Sequence, residues 1–134
     1  MKYIDLRLPS GTLWAENNEP GYYNFYNAIS KFRNQLPTLE QYKELREFTL
    51  HKFDNKQKGM WFLGRSGNEL FLPAAGFVYK NSLYHAGVYG RYLSTTTNDL
   101  NYTYHHLLFD CENLYLCNYC PCDYMFAIRL IKNL

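Results

Sequence analysis

Residues 87–134 read GVYGRYLSTTTNDLNYTYHHLLFDCENLYLCNYCPCDYMFAIRLIKNL, and how this stretch is read decides the fold. Leu107 and Phe109 alternate with His106 and Leu108, as a strand with one buried face requires. If Leu107 and Phe109 point inward, His106 and Leu108 are expected to point outward. Asp110-Cys111-Glu112-Asn113 is a turn by composition. Beyond it Leu114 and Leu116 should face in, and Tyr115 and Cys117 out. Loops at 88–89 and 119–123 flank the outward set, so a platform rich in tyrosine and cysteine is expected there. Tyrosine offers wide amphipathic contact at low entropy cost, and asparagine offers adaptable hydrogen bonds. No catalytic motif stands among these residues, so the reading is a binding surface and not an enzyme. The plainer account of these tyrosines is ordinary sheet surface, where Tyr is a favoured residue.

Upstream, the pattern changes. Tyr3 to Leu8 alternates apolar and polar residues, and Pro9-Ser10-Gly11 turns it into a second short strand, Thr12 to Ala15. Asn17 to Gly21 is a loop by composition. From Asn24 the period becomes helical, with Phe25, Ala28, Ile29 and Phe32 on one stripe. Thr38 followed by Gln41 is a capping-box signature, and Pro37 ends what precedes it. A second helix, from about Thr38 to Phe48, should present Leu39, Tyr42, Leu45 and Phe48 on one face. Gly59 to Gly64 and Asn68 to Pro73 are β-leaning runs around Arg65-Ser66-Gly67, a hairpin. Ala74 to Tyr79 continues the sheet, Arg91 to Thr95 and 102–109 follow, and Met125 to Ile131 closes the chain. Two helices in the first half packed on short antiparallel strands make an α+β domain.

Composition supports one folded unit over residues 1–134. A chain of 134 residues with 47% apolar and 19% aromatic residues can bury a core without metal or disulfide staples. With a formal charge of +2 spread along the chain, it lacks the concentrated basic field of a nucleic-acid binder. No apolar run approaches the roughly 20 residues of a membrane helix, so no membrane insertion is expected. Met1 to Asp5 starts a strand pattern and not a signal peptide, which leaves virion, cell surface and cytoplasm all open as compartments.

The runs Tyr3-Ile-Asp-Leu-Arg-Leu-Pro-Ser-Gly-Thr-Leu-Trp-Ala15, Leu36-Pro-Thr-Leu-Glu-Gln-Tyr-Lys-Glu-Leu45, Gly67-Asn-Glu-Leu-Phe-Leu-Pro-Ala-Ala-Gly76, Gly90-Arg-Tyr-Leu-Ser-Thr95 and Ile128-Arg-Leu-Ile131 resemble the Fibrobacter-type major paralogous domains. That resemblance implies a C-type lectin-like fold, related in shape to formylglycine-generating enzymes. The C-terminal portion is further similar to the variable region of proteins diversified by retroelements in phages and gut bacteria. There, template adenines are copied into any base, so Asn and Tyr codons scatter into the Tyr, Cys, His, Asn and Asp seen in this tail. The resemblance implies residues 87–134 as the hypervariable, ligand-binding part. Leu93 departs from the family pattern, which has Trp in that block. On these grounds the expected ligand-binding set is Tyr89, Arg91, Leu93, Asn98, Asn101, Tyr102, Tyr104, His106, Leu108, Tyr115, Cys117, Asn118, Tyr119, Cys120, Cys122 and Asp123. The expected partner is a protein or surface ligand.

Other chemistry in the tail reads more plainly. Cys117-Asn-Tyr-Cys120-Pro-Cys122 has thiolate-site spacing, but closed metal sites draw a second pair from elsewhere, and only Cys111 is at hand. Free thiols are the simpler reading, with no metal and no cofactor. His105-His106 reads as one half-buried and one exposed histidine. Asp99, Asp110, Glu112 and Asp123 lie on several turns, where Asp is a turn former before it is a calcium ligand. Two alternatives carry distinct signatures: a formylglycine-generating-type copper oxidase using Cys117 and Cys122, or an invariant lectin-like adhesion domain.

Overall fold

The computed structural model describes residues 2–98, 103–117 and 123–133, with backbone only at residues 97, 98, 103 and 104. Its elements, in chain order, are β1 (Tyr3–Ile4), β2 (Leu13–Ala15), α1 (Phe25–Phe32), α2 (Leu39–Glu47), β3 (Leu50–Asp54), β4 (Gly59–Leu63), β5 (Glu69–Pro73), β6 (Phe77–Tyr79), β7 (Ser82–Tyr84), β8 (Gly90–Asn98), β9 (Thr103–Phe109), β10 (Leu114–Cys117), β11 (Met125–Phe126) and β12 (Ile131–Lys132). The strands form four three-stranded antiparallel sheets, ordered β1-β2-β12, β3-β4-β5, β7-β6-β11 and β8-β9-β10. The α+β class expected from the period change holds.

Both helices start where their caps place them. The Asn24 side chain accepts from the Asn27 N–H at 2.8 Å and opens α1, which turns Ala28 and Phe32 into the core. Thr38 and Gln41 exchange both capping-box bonds, at 2.9 and 3.2 Å. α2 then buries Tyr42 and Leu45, whereas Phe48 falls just past the last turn and stays exposed.

β8, β9 and β10 organise the rest because they are apolar on both faces. On one face Tyr92, Leu107 and Phe109 join a cluster with Trp14, Tyr42, Leu45, Phe62 and Leu72. On the other, Leu93 joins Ala15, Ala28, Phe32, Phe77, Phe126 and Ile128. Neighbours on a strand point oppositely, so Tyr92 and Leu93 place the two clusters on opposite sides of one sheet. Gly90 is required by its cross-strand partner: a Cβ there would lie 2.1 Å from the Phe109 ring.

Several elements differ from expectation. β3 and β7 were not legible in the sequence. The run from Tyr3 to Leu8 pairs only at Tyr3–Ile4, since Arg7 adopts φ 56° and bends the chain to bury Leu6 and Leu8. Met125 to Ile131 splits into β11 and β12 around Arg129. Its buried guanidinium donates to Asn18 Oδ1 (2.8 Å), to the Ala15 carbonyl (3.0 Å) and to the Phe71 carbonyl (2.7 Å). Burial lowers its proton affinity, opposed by Tyr92, Tyr42 and Glu16 nearby. Three oxygen acceptors hold the charge in place of an ion pair, and they tie β2, β5 and the C-terminal segment together.

Candidate recognition surface

The register of the central sheet settles which tail residues share a face. Arg91 pairs with Leu108, and Leu108 with Tyr115 on β10. The next row on the same face is Leu93, His106 and Cys117. The intervening row, Tyr92, Leu107 and Leu116, faces the first cluster, as does Phe109 with Leu114. The expected inward set of Leu107, Phe109, Leu114 and Leu116 is therefore inward, and Tyr115 stands 45% exposed.

His106 and Leu93 correct the expected display. Alternation does put them on the same face as Tyr115, but that face is covered at their row, leaving His106 2% and Leu93 0% exposed. The His106 ring stacks on Phe126 at 5.3 Å, beneath β11. Among the described residues, neither of its nitrogens has a hydrogen-bond partner. Burial, with Arg91 and then His105 adding charge repulsion, lowers its pKa to about 3, so it is neutral. Of the two histidines expected to be one half-buried and one exposed, His105 is half-buried and His106, expected outward, is buried.

An aromatic ladder runs beside the open row. Phe77 is its hub: Tyr124 stacks on it at 4.9 Å, Tyr84 stacks at 5.4 Å and His85 meets it edge-on at 5.7 Å. Tyr79 packs on Tyr124 at 4.9 Å, and Tyr89 on His85 at 5.1 Å. Two cations lie on it, the Arg91 guanidinium 4.7 Å from the ring centre of the hub Phe77 and Lys80 Nζ 5.3 Å from that of Tyr79. The turn that brings Tyr84 opposite Phe77 is Lys80-Asn81, both at positive φ (50° and 64°), between paired Tyr79 and Ser82. That is the twist a two-residue hairpin needs.

Tyr84, stacked on Phe77, is 41% exposed, so the ladder reaches solvent there. Of the expected site, Tyr89, Arg91, Leu108, Tyr115 and Cys117 lie in or beside this region, and Asp123 is exposed next to Tyr124. Asn101, Tyr102, Asn118, Tyr119, Cys120 and Cys122 lie outside the described residues, as do the side chains of Asn98 and Tyr104. Phe77, Tyr79, Tyr84, His85 and Tyr124 were not in the expected set. The signal for them was the polar, aromatic run Tyr79-Lys80-Asn81-Ser82-Leu83-Tyr84-His85, in which Asn81 is the turn residue without a glycine beside it.

Cys111 and Cys117 are free thiols. Burial raises the Cys117 pKa, with Arg91 opposing, so the thiol stays protonated near neutrality. Among the described residues, no three His, Cys, Asp or Glu side chains converge on a point fit for a metal ion. Among the same residues, no helix is long and apolar enough to cross a membrane. A separate shallow cleft, lined by Leu50, Lys52, Trp61, Leu63 and Glu69, contains none of the expected site residues.

No family model matches the chain, and comparison with curated proteins and with solved structures gives no significant match.

Proposed function

We propose that this chain is a non-catalytic ligand-binding domain of C-type lectin-like fold, whose residues 87–134 form the variable face of a retroelement-diversified protein of phage or bacterial origin. The sequence blocks that resemble the Fibrobacter-type domains motivate the fold and the origin. The observation that carries the binding role is the register of β9 and β10. Leu107, Phe109, Leu114 and Leu116 anchor the core while Leu108 and Tyr115, one residue away, stand on the side of Arg91 and the aromatic ladder. Side chains at such positions change without emptying the core, which is what a diversified face needs. Affinity at a face of this kind comes from a few aromatic anchors within a polar rim.

The test is a screen of phage and bacterial surface proteins against the domain, repeated with Tyr84→Ala and Tyr115→Ala. Both substitutions should weaken capture of a partner found with the unaltered chain, Tyr115→Ala with thermal stability unchanged and Tyr84→Ala at the cost of its stack on Phe77 alone, about 0.5–1.5 kcal/mol. Capture that survives both would place recognition elsewhere. The diversification half of the proposal is read from the genome: a reverse transcriptase gene beside a near-copy of the coding region for residues 87–134, differing at adenines, is expected.

A further inference from the structure

The two cations on the ladder, Arg91 and Lys80, are in no ion pair among the described residues, and Asp123 beside Tyr124 is exposed. Arg91 lies on Phe77, its Nε buried and, among the described residues, without a hydrogen-bond acceptor, while its half-buried side chain still reaches solvent. Its row and face neighbours are Leu108, Tyr115, Leu93, His106 and Cys117. None supplies a negative charge: His106 is neutral and the Cys117 thiol is protonated. Lys80 repeats the arrangement on Tyr79, and among the described residues neither cation is in an ion pair, whereas Lys2, Lys43 and Arg46 each are. Asp110, on the turn that follows β9, is turned to other work, accepting from the Glu112 and Asn113 N–H groups, and Asp99 lies outside the described residues. A guanidinium is a planar fork of donors, and with its carbon 4.7 Å from the Phe77 ring centre and no acid paired to it among the described residues, it suits a planar anion.

We infer that the Arg91 guanidinium, seated on Phe77 at the hub of the aromatic ladder, receives a carboxylate from an acidic, aromatic-bearing segment of a protein partner. The carboxylate meets the guanidinium, the neighbouring rings take the apolar part of the segment, and Lys80 meets a second acid. Nucleic acid fits less well, because two isolated cations on a chain of charge +2 neutralise too few phosphates. This inference rests on the proposed recognition role and names the chemistry of its ligand.

Two peptides test it with the whole chain, Ac-Tyr-Glu-Glu-Tyr-NH2 and its Gln-Gln counterpart, with inorganic phosphate as a third arm. Titration is followed by isothermal calorimetry and by the Arg91 Nε–H resonance. The acidic peptide should bind about tenfold tighter than the neutral one. It should also shift that resonance. Arg91→Gln should abolish the preference, and Arg91→Lys should keep part of it, because a lysine retains charge without the fork. Equal affinity for the two peptides, a preference that survives Arg91→Gln, no binding by either peptide, or the same resonance shift from phosphate alone each overturns the inference. Failure here stays distinct from failure of the recognition role: a screened partner that loses binding on Tyr84→Ala and Tyr115→Ala but ignores Arg91→Gln refutes only the acidic ligand.

Discussion

Leu93→Ala separates core from display most sharply, because the sequence pattern places Leu93 in the ligand set and the fold places it in the interior. Leu93 has no exposed surface, pairs across strands with His106 and belongs to the cluster of Ala28, Phe77 and Phe126. Truncation removes three carbon groups, each worth about 0.8 kcal/mol of transfer free energy, or roughly 2.4 kcal/mol. The cavity left behind adds to this in proportion to how little it collapses, to a total of about 2.5–4 kcal/mol. Collapse is restricted here, because the Leu93 carbonyl accepts from the Tyr42 hydroxyl at 2.9 Å and the Thr95 N–H donates to the Pro37 carbonyl at 2.9 Å. Those bonds hold the strand to α2 and its entry. Urea unfolding followed by circular dichroism is the assay, with the midpoint expected to fall and the slope unchanged. Tyr115→Ala, on the exposed side, should change stability by less than about 0.5 kcal/mol. A Leu93→Ala loss under about 1 kcal/mol, together with lost binding to a screened partner, would show that Leu93 is displayed and that the sheet has been assigned the wrong covered face.

Three further outcomes follow from the interior. His106 is held near pKa 3 against 6.5 for a free histidine, so the unfolded chain binds the extra proton between those values and stability should decline as pH falls from 6.5 toward 3. The slope from this residue is at most on the order of 1.4 kcal/mol per pH unit, and His106→Leu, compared by urea melts at pH 7 and pH 5, should lose it; an unchanged pH dependence would mean that His106 is not buried neutral. Arg129→Met strands three oxygen acceptors, each worth about 1–3 kcal/mol when left unpaired, against the several kcal/mol of desolvation relieved by removing the charge. A net destabilisation of about 2 kcal/mol in urea melts is expected, and a gain in stability would show that shedding the buried charge outweighs the lost bonds. Gly90→Ala drives a methyl into the Phe109 ring, so about 1–3 kcal/mol of overpacking is expected in thermal melts, and a neutral outcome would mean that Phe109 swings aside freely.

Legibility followed the range of the physics. Capping boxes and helical stripes act within a few residues, and Thr38 with Gln41 marked the start of α2 to the residue. Period-two alternation correctly oriented Leu107, Phe109, Leu114 and Leu116. It failed at His106 for a specific reason: alternation sorts residues onto two faces but does not say which face another element covers. β11 and α1 cover one half of that second face, and a histidine among leucines carries no local mark of it. β7 was hidden because its turn uses Lys80-Asn81 at positive φ without glycine, and β3 because its leading residues, Leu50, His51 and Lys52, remain exposed.

By itself the sequence determined the helix starts, the turn at residues 110–113, the α+β class and the inward half of the central sheet, all of them consequences of contacts between near neighbours in the chain. Only the tertiary structure decided that Leu93 and His106 are interior, that Arg129 is buried among carbonyls, and that Phe77, Tyr79, Tyr84 and Tyr124 stack beside Arg91. Those outcomes depend on which distant segment lands on a given face, and long-range packing leaves no periodic trace in the residues it covers.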